Sequence, residues 1–186
     1  DGTDQIMYQF GNFSDGVNQH KFYTEGAERM RILQGGGITF NGDSATANAL
    51  DDYEEGNWTP TVGGATAQGS TSGGNIYGKY IKIGQLVFAS FSIANTTVSN
   101  ASGHLTIGGF PFNNSGTGDR EANGVMRTYG VDLEPFSSHG SPVPAVNNNT
   151  NTAFVLQSKD NAAWAVVQAD NGSGQYFEGS ITYIAT

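Results

Sequence analysis

Hydrophobic residues in this chain fall in short alternating stretches, separated by residues typical of tight turns. Alternation with a period of two predicts β-strands, and Gly, Asn and Asp between them predict turns. Strands are predicted at Gln5–Phe10, His20–Thr24, Arg29–Leu33, Gly37–Phe40, Ile76–Ile83, Leu86–Ile93, His104–Ile107, Gly124–Tyr129, Ala153–Gln157, Ala163–Ala169 and Tyr176–Ile184. This spacing from Trp58 onward is typical of a sandwich or barrel, so we expect an all-β fold.

Two of these predicted strands have a stronger pattern of apolar residues than the rest. Ile76–Ile83 and Leu86–Ile93 are separated only by Gly84 and Gln85, which predicts a β-hairpin. The second strand carries apolar residues at both odd and even positions. We therefore expect it to be buried on both faces.

The first 45 residues have turn signals but few apolar residues. A segment of this size buries little of its own surface, so we expect it to pack against other chains or against the rest of this one. Several chains wound around a common axis would supply such contacts. The chain begins with neither an initiator Met nor a signal-peptide pattern, and we expect it to be the C-terminal part of a longer polypeptide.

Residues 44–56 are the only stretch of the sequence whose composition favours a helix. Ala47 favours a helix and Gly56 would end it. The acidic residues between positions 51 and 55 would lie at the unfavourable end of the helix dipole, so the helix should be short or frayed. The predicted regions are a shaft segment at 1–45, a connector at 46–57 and a head domain at 58–186.

Composition narrows the functional classes. The 11 Phe, 8 Tyr and 2 Trp are too many for a disordered coil. A net charge of −9 with dispersed basic residues argues against nucleic-acid binding. The absence of cysteine excludes disulfides and thiolate metal sites, and no apolar stretch is long enough for membrane insertion.

Catalytic patterns are sparse. There is no G-x-S-x-G motif, and the three His residues lack metal-ligand spacing. Glycoside hydrolysis would need paired carboxyl groups, but the available pairs lie in polar stretches without aromatic residues to raise a pKa. Those pairs are Asp51/Asp52/Glu54/Glu55 and Asp119/Glu121. Residues 170–174 are predicted to form a turn rather than a calcium loop, because no Glu follows at the required distance. We therefore expect no enzyme activity, no cofactor and no metal.

A receptor-binding segment is predicted at 135–152, where three prolines and three consecutive asparagines indicate an exposed loop. Aromatic faces and planar amides suit recognition of a neutral, hydroxyl-rich glycan. The candidate binding residues are Phe136, His139, Asn147, Asn148 and Asn149. Tyr129 and Trp164 lie in predicted strands, and we expect both to belong to the core.

A family resemblance begins in the acidic segment at 50–62, with the sequence LDDYEEGNWTPTV. It resembles the segment that opens a C-terminal head domain in tail fibres of tailed bacteriophages, notably those of marine and cyanobacterial hosts, although Asn57 stands where Thr is usual. The sequence YGKYIKIGQLVF at 77–88 is similar to the strand pair that follows in those fibres. GSITYI at 179–184 resembles their last strand, and ERMRI at 28–32 resembles their distal shaft.

The resemblance covers residues 28–93 well and 94–174 hardly at all. It implies a homotrimeric structural protein of the virion, with an extended, intertwined shaft and a β-sandwich, jelly-roll-like head. Trp58 and Pro60 would seat the entering chain against that head. A location in the tail fibre and binding to a glycan or protein of the host surface are implied, with attachment to other virion proteins through an upstream region.

Two alternatives remain open. The chain could be a capsid decoration or capsid-attached fibre protein with a structural role, because the same modules occur on capsids. It could also be a tailspike that depolymerises glycans.

Overall fold

The computed structural model describes residues 7–9, 19–115, 122–133, 139–159 and 161–186. Within them the structure is all-β, as predicted, apart from one turn of 3₁₀ helix at Thr46–Asn48. The strands are β1 (Met7–Gln9), β2 (His20–Thr24), β3 (Ala27–Ile32), β4 (Ile38–Phe40), β5 (Tyr53–Trp58), β6 (Thr61–Gly64), β7 (Ser70–Ser72), β8 (Asn75–Ile83), β9 (Leu86–Ser99), β10 (Leu105–Gly108), β11 (Ala122–Tyr129), β12 (His139–Val146), β13 (Thr152–Lys159), β14 (Ala165–Val166) and β15 (Gly172–Ile184). None of the described residues belongs to a helix with the length and apolarity that a bilayer crossing requires.

The chain divides into two compact units, Asp1–Tyr53 and Glu54–Thr186. The first contains a sheet in the order β1-β2-β3-β4, with antiparallel neighbours. Glu25 and Gly26 join β2 to β3, and both have positive φ (52° and 72°), as a type I′ turn requires. Among residues 19–53, whose side chains the structure describes, Leu33 is the one buried hydrophobic residue of this unit. The sheet therefore lacks an apolar core of its own among these residues.

The predicted helix at 44–56 is wrong. Only Thr46–Asn48 is helical, and Tyr53–Trp58 forms strand β5. Ala45 precedes the turn without a side-chain cap, and the acidic residues that follow would oppose the dipole of a longer helix. Pairing of β5 with β8 satisfies backbone groups that a helix would have paired internally.

The second unit is one large, curled antiparallel sheet. Its strand order is β5-β8-β9-β15-β11-β12-β13-β10-β6, with β7 on β9 and β14 on β13. The two edge strands, β5 and β6, are consecutive in sequence and are separated only by Thr59 and Pro60. The chain from Trp58 to Thr61 spans at most about 10 Å. The sheet must therefore curl until these edges approach each other.

The core of the second unit lies on the inner face of this sheet. Its buried members are Trp58, Val62, Val87, Ala89, Phe91, Ile93, Val98, Ala101, Leu105, Ile107, Phe110, Met126, Val146, Ala153, Val155, Val167, Phe177, Ile181, Tyr183 and Ala185. These residues come from both halves of the strand order, and the curl of the sheet brings them together into one continuous core.

Trp58 fixes β5 to the sheet. Its ring stacks on Phe110 with centroids 4.8 Å apart, and its indole N–H donates to the carbonyl oxygens of Ser90 (3.1 Å) and Lys79 (3.2 Å). Gly78 lies against the indole, where an added Cβ would be 2.6 Å from Nε1. Pro60 is buried. Trp58 and Pro60 are thus both buried in the second unit, and their role in seating a chain that enters a head domain stays a prediction.

The predicted hairpin is confirmed, but the predicted burial of β9 is not. Ile83 pairs with Leu86 across Gly84 and Gln85, and Gly84 has φ 57°, as at the first position of a type II′ turn. The odd positions of β9 from Val87 to Ile93 are buried, whereas Leu86 and Phe88 are 47% and 46% exposed. Only one face of β9 meets the core.

The predicted exposed loop at 135–152 is wrong over 139–146, which forms β12 between β11 and β13. Pro142 and Pro144 are buried and pair in register with β13. Because they are two residues apart, both ring nitrogens face the same side of β12. The pairing described between β11 and β12 involves only Ala145 and Val146, so no ladder hydrogen bond is needed from either proline there.

Candidate functional site

The structure places the predicted glycan-binding residues only in part. Phe136 lies outside the described residues. The backbone of His139 begins β12, opposite Lys159, and its side chain lies outside what the structure describes. The three asparagines follow β12 in the turn toward β13, where only Asn149 is exposed.

The asparagines shape this turn. The backbone N–H of Asn147 donates to the carbonyl of Thr152 (3.2 Å), and that of Asn149 donates to the carbonyl of Asn114 (3.0 Å). Asn149 has φ 56°, a left-handed conformation that Asn tolerates better than most residues. The side-chain oxygen of Asn148 is buried without a hydrogen-bond partner among the described residues. Asn147 and Asn149 therefore serve mainly to form the turn between β12 and β13.

A larger surface is formed by the outer face, which we define as the side of β8, β9, β15 and β11 opposite the core. The registers place its residues in rows across the strands. Ile81 pairs with Phe88 and Phe88 with Thr182, and further along the sheet Ser180 pairs with Val125. This face carries two distinct groups of side chains.

The first group is an apolar patch on three neighbouring strands. Its members are Ile81, Ile83, Leu86, Phe88 and Ile184, each between 42% and 48% exposed. Leu86 pairs with both Ile83 and Ile184, so the five side chains are contiguous. A cavity of about 560 Å³ adjoins the patch and is lined by Glu55, Gly56, Asn57, Lys79, Tyr80, Ile81, Phe88 and Ser90. Contiguous exposed apolar surface is typical of interaction sites.

The second group is a tyrosine platform, defined by Tyr129, Tyr176, Arg127 and Glu178. The rings of Tyr129 and Tyr176 meet edge to face, with centroids 5.7 Å apart and an interplanar angle of 78°. Tyr129 is 72% exposed, which contradicts its expected place in the core. A shallow cavity of about 500 Å³ is lined by these four residues and Thr128.

Arg127 and Glu178 form the polar half of the platform. Nε of Arg127 donates to Oε2 of Glu178 at 2.7 Å, and Nη2 contacts the same oxygen. The hydroxyl of Ser92 donates to Oε1 at 3.0 Å. The hydrogen bond from Arg127, followed by that from Ser92, lowers the pKa of the Glu178 carboxyl. These hydrogen bonds therefore favour the ionised form of the carboxyl group and orient it.

The other candidate residues are dispersed. Trp164 is 65% exposed, so its predicted place in the core is also wrong. Asp51 precedes β5 and Glu54 and Glu55 lie within it, whereas the pair Asp119/Glu121 lies outside the described residues. No cluster of three His, Asp or Glu side chains suited to a metal occurs in the described part of the chain.

Sequence reasoning missed the apolar patch and the tyrosine platform. One signal in the sequence could have revealed the outer face: Ser90 and Ser92 are polar and alternate with apolar residues, which indicates that the even positions of β9 point away from the core. The platform itself depends on a register between β11 and β15, more than 40 residues apart.

Comparisons with protein-family models, with curated proteins and with solved structures find no match to this chain.

Proposed function

We propose that this chain is the C-terminal part of a bacteriophage fibre protein, a homotrimeric appendage of the virion that binds the host cell surface. The apolar patch carries the proposal, since exposed apolar side chains on three adjacent strands need a partner surface. The threefold order, the tail-fibre location and host attachment follow from the sequence resemblance at 28–93. In this proposal the curled sheet, with its edges joined through Thr59 and Pro60, is the sandwich-like head.

The first unit supports assembly through a separate observation. Among residues 19–53, whose side chains the structure describes, a single hydrophobic residue, Leu33, is buried, while several others remain exposed. These are Ile32 (37%), Phe40 (52%), Leu50 (43%) and Tyr53 (59%). A small sheet of this kind needs packing on a further surface to be stable. Contact with symmetry-related chains would provide that surface, as expected for an intertwined shaft.

The size of the apolar patch matches this role. Complete burial of one Leu, Ile or Phe side chain contributes about 1.5–3 kcal/mol. Five side chains that are roughly half exposed would therefore contribute on the order of 5 kcal/mol per chain if a second copy covered them. That amount is large enough to drive association, although part of it offsets the entropy lost on binding.

Analytical ultracentrifugation across a concentration series tests the assembly. We expect a trimer whose thermal stability rises with protein concentration. The double variant Ile81→Thr/Phe88→Thr should dissociate at higher concentrations than the wild type, because it removes about 2 kcal/mol of apolar burial per chain. Val125→Thr is the matched control, since Val125 is an exposed residue (68%) on the same face outside the patch. A wild-type chain that stays monomeric throughout would refute the proposal.

Two further experiments separate the alternatives. Imaging of whole virions with a labelled antibody should show the chain at fibre tips, whereas label on capsid faces would favour the decoration protein. Incubation with host polysaccharide should release no reducing ends. The hydrogen bonds that lower the pKa of the Glu178 carboxyl favour a binding role for it, because a glycosidase acid needs a raised pKa.

A further inference from the structure

We infer that the tyrosine platform binds uncharged, hydroxyl-rich glycans. The inference rests on the proposed function, in which the chain binds the host cell surface. It names an uncharged glycan as the target and places that target on the outer face. The platform lies on β11 and β15 and shares no residue with the glycan-binding segment predicted at 135–152.

The two tyrosines supply the stacking surface. The ring of Tyr129 lies edge to face against that of Tyr176, while 72% of Tyr129 stays accessible. An aromatic face is electron-rich, and the C–H groups on one side of a sugar ring carry partial positive charge, so the two attract. A tyrosine side chain has only two rotatable χ angles, so it loses little conformational entropy when a sugar stacks on it.

The ion pair supplies directional hydrogen bonds beside the rings. The guanidinium of Arg127 has five N–H donors and uses Nε and Nη2 toward Glu178, while its side chain is 83% exposed. Oε2 of Glu178 is taken up by Nε and Nη2 of Arg127, whereas Oε1 accepts one described bond, from Ser92, and has capacity for another. Neighbouring donors and acceptors of this kind match the neighbouring hydroxyl groups of a sugar ring.

Charge selects the class of glycan. The positive charge of Arg127 is already balanced by Glu178, so the platform presents no surplus cation to a carboxylate or sulfate. The chain as a whole carries a net charge of −9, which repels polyanions. An acidic polysaccharide would therefore be disfavoured relative to an uncharged one.

The platform and the apolar patch can act together. Along β9, Phe88 in the patch lies four residues from Ser92, which contacts Glu178. At about 3.3 Å per residue this separation is about 13 Å, and the hydroxyl-bearing Ser90 lies between them. Three copies of the platform in one trimer would strengthen weak single-site binding through effective concentration.

Affinity electrophoresis of the full chain tests the inference, with dextran, mannan and galactan as uncharged probes and alginate and dextran sulfate as acidic probes. We expect retardation by at least one uncharged probe and by neither acidic one. Tyr129→Ala should weaken that binding about tenfold, Tyr129→Phe should retain most of it, and Arg127→Gln should weaken it without unfolding the chain. Trp164→Ala is the control, because it removes an equally exposed aromatic residue elsewhere.

Three results would overturn the inference: no retardation by any uncharged probe, retardation by the acidic probes alone, or unchanged binding by a folded Tyr129→Ala variant. Sedimentation and cell-adsorption assays on the same samples keep the two proposals distinct. A trimer that adsorbs to cells but binds no uncharged glycan would refute the platform alone. A monomer that does not adsorb would refute the proposed function.

Discussion

Replacing Gly78 by Ala should destabilise the second unit, although Ala usually stabilises a strand relative to Gly by about 0.5–1 kcal/mol. The added Cβ would lie 2.6 Å from Nε1 of Trp58 and 2.7 Å from its carbonyl oxygen. The indole cannot retreat without losing its hydrogen bonds or its stacking on Phe110. Overpacking costs about 1–3 kcal/mol and a lost hydrogen bond about 1 kcal/mol. We therefore expect a net loss of about 1–3 kcal/mol.

Urea denaturation followed by Trp fluorescence measures this loss. Gly35→Ala serves as the control, because a Cβ there meets nothing within 4 Å and its stability should change by less than about 0.5 kcal/mol. Combining Gly78→Ala with Trp58→Phe should be less than additive, since the smaller ring removes Nε1 but leaves the carbonyl contact. A Gly78→Ala variant as stable as the wild type would refute the claim that this Gly is required by the indole.

Three further predictions follow from hydrogen bonds and backbone angles. Burial raises the pKa of the Tyr183 hydroxyl to about 12. The neutral side chain therefore stabilises the fold fully below its unfolded pKa of about 10, and this stability is lost as the pH rises through 12. Tyr183→Phe should remove this alkaline dependence of the unfolding free energy. Because the pKa of Glu178 is lowered, its pair with Arg127 stabilises the fold above the unfolded value of about 4.3 and is lost as the pH falls through the lower folded value. When the unfolding midpoint is measured at decreasing pH, it should fall more in the wild type than in Glu178→Gln. The difference should be small, because Arg127 is largely exposed. Asn149→Gly should keep the melting temperature of the wild type, whereas Asn149→Val should lower it because φ is 56°; equal melting temperatures would contradict this.

The parts of the fold that sequence predicts well are those with local signals. His20–Thr24 has the predicted bounds, and the β8–β9 hairpin follows from alternation on both sides of Gly84. Strands without such signals were missed. β5 is rich in acidic residues and β12 contains two prolines, and each forms a strand because of its place beside a distant partner.

The candidate site was harder to predict, because exposure on a two-sided strand is decided by tertiary contacts. Phe88 and Phe91 have similar neighbours in sequence, yet only Phe91 faces the core. Tyr129 was expected in the core on its strand context alone. Its meeting with Tyr176 requires the register of β11 on β15, which local patterns do not encode.

The position of β15 has a consequence for biosynthesis. This last strand of the second unit lies in the middle of the sheet, between β9 and β11, and pairs with β9 from Gly172 to Ile184. While the ribosome is still adding residues at about 5–20 per second, β9 has no partner on that side. The sheet can close only after Ile184 has left the exit tunnel. Folding of this unit is therefore complete only once β15 has emerged, and its unpaired strand edge is a natural target for chaperones until then.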